Sequence, residues 1–289
     1  MKNIMVSVDF WDTLVRADSN GDKRTEARMN ALREVSRRYG LEPTDEAVRQ
    51  ARLHVSRGFD EEWFGRQRTQ TTGELVQGML NALAIPAKPA EADELTEAFR
   101  ESLFLGPPEL APGIKEALTN ISMYFRMAII SDTMFSPGSV IRRYLEQMDV
   151  LRFFDAFAFS DELDVSKPHR KAYETVLKAT GSSPGHSWHV GDMLKTDIRG
   201  AKAMGMKAIL YTGFSGGVDA VSGGEMGADE SKSNSIKSTS SISASGNSAN
   251  SKPAGSEGKN NGLQENLPEP DFVCATWDNV ADILISELV

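Results

Sequence analysis

The run Ile4-Met5-Val6-Ser7-Val8 is apolar until it stops on Asp9, and such a run reads as a buried strand that presents a carboxylate at its end. The period then lengthens. Met29, Leu32, Val35 and Tyr39 recur at three- or four-residue spacing before Gly40, and Pro43 opens a second helical stretch through Val55. Trp63, Phe64, Leu75, Met79, Leu80 and Leu83 keep helical spacing up to Pro86 and Pro89, and Ala92 to Leu103 reads as a further helix. No strand is expected between Thr25 and Arg100.

After Pro107-Pro108 helix and strand alternate. Gly113 to Ile121 predicts a helix, Phe125 to Ile130 a strand ending on Ser131, and Phe154 to Phe159 a strand. Arg170 to Lys178 predicts a helix, Ser187 to Val190 a strand, Thr196 to Met204 a helix with Thr196 as its N-cap, and Ala208 to Tyr211 a strand. This alternation implies crossover connections and a mostly parallel sheet, so the fold class is α/β with a Rossmann-like core that the first strand joins. Residues 215–268 are rich in Ser, Gly, Asn and Lys without apolar period, and are expected to form a disordered excursion because they bury too little apolar surface to order a backbone. Asp271 to Ala275 then predicts a last strand and Trp277 to Leu288 a terminal helix.

Composition narrows the function classes. The chain of 289 residues carries a formal charge of −9, which argues against nucleic acid as a main partner. Its one cysteine, Cys274, rules out an internal disulfide or a cysteine-based zinc cluster and suits a reducing cytoplasm. No apolar run approaches the ~18 residues of a membrane span, so no membrane partner is expected. Oligomeric state is not readable.

Several strand ends carry chemistry. Asp9 ends the first strand, Ser131 the second, Lys167-Pro168 precedes a helix, and Asp192 and Asp197 follow the strand ending His189-Val190-Gly191. Open α/β sheets place their sites at carboxyl strand ends. Each residue also has a plain reading: Asp9 as a turn residue, Lys167 as a solvated lysine, Ser131 as a cap, His189 as a hydrogen-bonded core residue, and Asp132 as a turn or cap residue.

Taken together, Asp9-Phe10-Trp11-Asp12-Thr13-Leu14, Ala128-Ile129-Ile130-Ser131, Lys167-Pro168 and His189-Val190-Gly191-Asp192 through Asp197 resemble, in order, the motifs of the haloacid dehalogenase superfamily. The resemblance implies a core from residues 1–16 and 108–289, with 17–107 as a helical cap inserted after the first strand. It also implies hydrolysis of a small phosphorylated molecule. Asp9 would attack phosphorus, while Ser131 and Lys167 would hold the transferring oxygens. Carboxylates converging at about 4 Å repel by roughly 4 kcal/mol per pair at an effective dielectric of 20, so they require a cation. Mg²⁺ suits such hard oxygen donors, and the resemblance gives its ligands as Asp9, the Trp11 carbonyl and Asp192, with Asp197 in direct or outer contact.

One position departs from the pattern. Phosphatases of this superfamily usually carry an aspartate acid/base two residues after the nucleophile, where Trp11 stands here. Three readings stay open: a Mg²⁺-dependent phosphohydrolase whose leaving group needs little protonation, a dehalogenase- or phosphonate-cleaving hydrolase, and a phosphate-binding module with weak turnover. Asp12 is expected to cap the following turn. The cluster of Phe59, Trp63 and Phe64 with Arg57, Arg66 and Arg68 is expected to be helix packing with a solvated face, the alternative being a specificity patch facing Asp9.

Overall fold

The computed structural model describes residues 4–214 and 267–288. The expectation of disorder over 215–268 therefore lies outside the described residues, apart from its last two positions.

Six strands form a parallel sheet: β1 (Met5–Val8), β4 (Arg126–Ser131), β5 (Ala156–Phe159), β6 (Ser187–Gly191), β7 (Lys207–Tyr211) and β8 (Phe272–Cys274), in the order β5-β4-β1-β6-β7-β8. A parallel sheet covered on both faces needs apolar side chains on both, hence the unbroken apolar runs. The period of two sorts them. Val6, Val8, Met127, Ile129, Trp188 and Val190 face one cluster, with α5 (Ile114–Ser122), α6 (Gly138–Gln147) and α10 (Trp277–Ser286) against it. Met5, Ala128, Ile130 and Ala208 face the other, against α8 (Arg170–Thr180) and α9 (Arg199–Ala203). Burying one such Val or Ile side chain contributes about 1.5–3 kcal/mol.

Four helices, α1 (Gly21–Arg38), α2 (Asp45–Arg66), α3 (Thr72–Ala82) and α4 (Pro89–Leu105), make a separate layer with its own apolar cluster, which also takes in Met134, Phe135 and Met193 from the strand ends. Local chemistry sets their starts: Thr44 caps α2, Thr71 and Glu74 form a capping box on α3, and Pro89 occupies the first turn of α4. The chain leaves and re-enters the sheet through a short antiparallel pair, β2 (Val15–Arg16) and β3 (Glu109–Leu110). Buried Arg24 clamps both passages, donating to the carbonyls of Ala17, Ser19 and Gly106.

The stretch after β6 differs from its expected form. Thr196 is not an N-cap: a π-helical turn over Leu194–Ile198, preceded by Met193, leads into α9, and it has no side-chain cap. The Asp197 carboxylate turns back to accept from Met193 N–H at 3.1 Å, doing from inside the turn what a cap does from outside.

Candidate active site

Because β1 lies between β4 and β6, the residues that follow these three strands sit side by side. Asp9, Asp132 and Asp192 thereby reach one cleft, which is also lined by Trp11, Asp12, Thr133, Lys167 and Thr196. Phe59 and Trp63 of α2, with Met134 and Met193, close its other side. The loop after β1 is braced from below. Trp277, fully buried, donates its indole N–H to Thr13 O at 3.0 Å, and Asp12, at φ 50°, accepts from Ala17 N–H at 2.9 Å. Asp12 thus serves the turn, as its sequence position suggested.

Lys167 is the hub of the charges. Its Nζ is 2.7 Å from Asp9 Oδ1 and 2.7 Å from Asp197 Oδ1, and all three side chains are buried. Burial opposes the charge on Lys167, but Asp197, Asp9 and Asp132 outweigh it and hold its pKa well above the ordinary lysine value. Burial likewise opposes the charge on Asp197, yet Lys167 and His189 keep its carboxyl well below the usual range. Desolvation wins at Asp9, whose pKa is pushed up to about 7, with Asp197 adding repulsion. Asp192 is also driven well above its ordinary value by burial and by the charges of Asp197 and Asp9.

His189 stands behind this cluster. Its Nε2 lies 2.9 Å from Asp197 Oδ1 and its Nδ1 2.9 Å from Ser7 Oγ. Burial lowers its pKa and favours the neutral ring; with Nε2–H given to the anionic Asp197, Nδ1 faces Ser7 Oγ, whose hydroxyl proton is shared with Trp188 O at 3.1 Å. It is a hydrogen-bonded core residue that orients Asp197. Gly191 permits this approach, since a Cβ there would stand 2.3 Å from Asp197 Cγ.

Oxygens of Asp9, Asp192 and Asp197 all lie within 4.8 Å of one another. Three hard oxygen donors at this spacing suit Mg²⁺. They are not equivalent, however, because both Asp197 oxygens already accept hydrogen bonds, from Lys167 and His189 on one side and Met193 N–H on the other. Of the three, Asp9 and Asp192 would be the better placed to hold such an ion.

The site residues named from sequence thus divide. Asp9, Trp11, Lys167 and Asp192 line the cleft; Asp197 lies behind it, bonded to Lys167. Ser131 ends β4 as expected, but its buried hydroxyl donates to its neighbour's carbonyl, Asp132 O, at 3.3 Å, and it is not a wall residue. Asp132, assigned to a turn, is instead a wall residue. Its Oδ1 accepts from Lys167 N–H at 2.9 Å and its Oδ2 from Trp63 Nε1–H at 2.8 Å, while burial pushes its pKa up to about 6. The aromatic and basic cluster divides too. Phe59 and Trp63 face Asp9 across the cleft, whereas Arg66 pairs with Glu62 and Arg68 with Glu74 and Asp164.

Comparison with known proteins agrees with this layout. A glyceraldehyde 3-phosphate phosphatase from Pyrococcus abyssi is 29% identical over 136 residues, 46% of this chain and 55% of that one. A phosphoglycolate phosphatase from Pseudomonas fluorescens is 27% identical over 161 residues, 54% of this chain and 57% of that one. The matches span about half the length of these curated relatives. Among solved structures, a 2-haloacid dehalogenase from Pseudomonas syringae superposes with a TM-score of 0.64 at 18% identity, covering 99% of both chains. A magnesium-bound HAD-hydrolase from Bacillus subtilis gives 0.57 at 15% identity, covering 98% of this chain and 99% of that one. At such identities the superpositions speak for the fold alone. Residues 26–211, more than half of the chain, match the family model of haloacid dehalogenase-like hydrolases, and the chain belongs to that family.

Proposed function

We propose that the protein is a Mg²⁺-dependent hydrolase of a small phosphorylated molecule, working through an aspartyl-phosphate on Asp9. The observation that carries this reading is the contact of Lys167 Nζ with Asp9 Oδ1 at 2.7 Å beside Asp192, which supports a nucleophile, a fixed positive charge and a metal ligand acting in one cleft. The phosphatase names of the partial relatives point the same way.

Asp9 supplies the attacking oxygen, and Lys167 orients it and offsets the negative charge that gathers on the phosphoryl oxygens. Asp197 and His189 hold the ammonium in place. Asp9, the Trp11 carbonyl and Asp192 would hold Mg²⁺, with Asp197 in outer contact; when bound, the ion would neutralise phosphoryl charge and lower the carboxyl pKa values. Helices α1–α4 act as a cap, with Phe59 and Trp63 shielding the reacting centre from water. A setting in the reducing cytoplasm accords with the single thiol.

Beside Asp9, the acidic pair Asp192 and Asp197 tells against a metal-free dehalogenase, whose reaction does not require it. Trp11 favours a second reading, a phosphate-binding module with negligible turnover, because no carboxylate stands at its position. Hydrolysis of an aryl phosphate with and without Mg²⁺, with Asp9→Asn as control, decides between them. Metal-dependent turnover abolished by the substitution is expected; tight phosphate binding without turnover would establish the binding module instead.

A further inference from the structure

Besides its carboxylates and Lys167, the cleft is lined by Trp11, Phe59, Trp63, Met134 and Met193, with the hydroxyl residues Thr133 and Thr196 beside them. Phe64 stacks on Trp63 with ring centroids 4.4 Å apart and is 46% exposed, so the aromatic surface continues outward from the wall. The charges lining the cleft are Asp9, Asp12, Asp132 and Asp192 against Lys167, the one cationic wall residue among the described residues. Lys167 is already held by two carboxylates at 2.7 Å. Recognition of a second anionic group on a substrate calls for an arginine or lysine in the wall. Three arginines of the helical layer direct their charge elsewhere: Arg24 to the carbonyls of Ala17, Ser19 and Gly106, Arg28 over the Phe135 ring at 4.4 Å, and Arg68 to Glu74 and Asp164.

We infer that the cleft selects phosphate esters of an uncharged aromatic alcohol and discriminates against esters that carry a second anion. The inference rests on the hydrolase reading above and gives its substrate class. Flat rings match Trp63, Phe59 and Trp11 by stacked or edge contact, with thioethers of Met134 and Met193 beside them. A carboxylate on the leaving group would meet the acidic residues instead. Trp11 contributes twice, as wall and as the residue where an acid is lacking. An aryl oxide, with a phenol pKa of about 10, departs without a proton donor far more readily than an alkoxide, whose parent alcohol has a pKa near that of water, about 15.7.

The reaction balances without another co-reactant. An Asp9 oxygen forms its bond to phosphorus as the bond from phosphorus to the aryl oxygen breaks; the electron pair leaves on that oxygen, which takes a proton from bulk water. Water then adds to phosphorus and the Asp9–phosphorus bond breaks, releasing phosphate and one proton and restoring the carboxylate.

Two inert analogues, phenylphosphonate and phosphonoacetate, separate binding from catalysis when titrated calorimetrically into the Mg²⁺-loaded protein. Phenylphosphonate is expected to bind at least about 10-fold more tightly; equal affinity, or tighter binding of phosphonoacetate, overturns the inference. In turnover, phenyl phosphate is expected to exceed 4-carboxyphenyl phosphate at least about 10-fold in kcat/KM, and Phe59→Arg to narrow that ratio. Hydrolysis of both esters at equal efficiency, or preference for phosphoglycolate, refutes the substrate class and leaves the hydrolase standing. Absence of turnover with every ester refutes the hydrolase itself.

Discussion

The indole N–H of Trp63 donates to the Asp132 carboxylate at 2.8 Å, joining helix α2 to the loop after β4 within the wall of the cleft. A hydrogen bond to a charged group contributes about 1.5–3 kcal/mol. Trp63→Phe keeps an aromatic ring in the wall but removes the donor, and is expected to destabilise the protein by about that amount in urea unfolding. An unchanged midpoint would show that the bond does not hold the helical layer to the sheet.

The same carboxylate sets a pH dependence. Burial raises Asp132 from 3.8 to about 6, so the folded state holds its proton more tightly than the unfolded chain. Its contribution to stability is complete below pH about 3.8 and is lost as pH rises through about 6, a total of up to ~3 kcal/mol. Comparing the protein with Asp132→Asn at pH 4.5 and 7.5 isolates this group from the other carboxylates. The stability of the parent relative to the variant is expected to fall by about 2 kcal/mol over that interval.

Asp132 also marks where sequence stops being informative. β1 ending just before Asp9 and β6 just before Asp192 were readable because apolar runs that stop at carboxylates have a local signature, and the alternation of elements gave the parallel sheet. Asp132 after a strand looks like any turn residue; its partner Trp63 is 69 residues away, and only tertiary packing aims the indole at it. Asp197 was found by spacing, but its contacts to Lys167 and His189 come from separate elements of the fold and have no local signature. Ser131 shows the converse: its place at a strand end was legible, the direction of its hydroxyl was not.

Lys167→Met leaves Asp9 and Asp197 buried without their shared counterion. Removing one partner of a buried pair costs about 3–5 kcal/mol. Unfolding without metal should show a loss of that size, with a smaller loss when Mg²⁺ is added, because the ion replaces part of the missing charge. The rate of phosphate ester hydrolysis should fall about 10²- to 10³-fold, the effect of removing one preorganised charge-stabilising group.

Magnesium binding should itself depend on pH. Asp9, pushed up to about 7, is partly protonated near neutrality, Asp192 is likewise driven well above its ordinary value by burial, and the ion requires both as carboxylates. Protons therefore compete with the metal at low pH, and affinity is expected to rise from pH 6 to pH 8 with proton release on binding. Calorimetry in buffers of different ionisation enthalpy measures both quantities. A constant affinity over this range would mean that these two residues are not the ligands, and Asp192→Asn, which should abolish binding, supplies the control.

On the hydrolase proposed above, Trp11 stands where a phosphatase of alkyl esters would carry its acid. Its ring packs edge-on against Phe10 at 4.8 Å, with the Arg24 guanidinium 5.6 Å from its centroid, so it is part of the cleft wall and has no proton to give to a departing alkoxide. Trp11→Asp introduces an ionisable group where the leaving oxygen would emerge, and general acid catalysis contributes about 10²- to 10⁴-fold when well placed. Part of that gain is offset by lost stacking and by a further carboxylate beside Asp12 and Asp192. Alkyl phosphates, which depend on protonation, are expected to gain at least about 10-fold in kcat, while phenyl phosphate, whose oxide leaves unaided, gains less and loses affinity. Equal gains for both esters would separate the role of Trp11 from leaving-group protonation; a loss for both would mean that the indole is needed to shape the cleft.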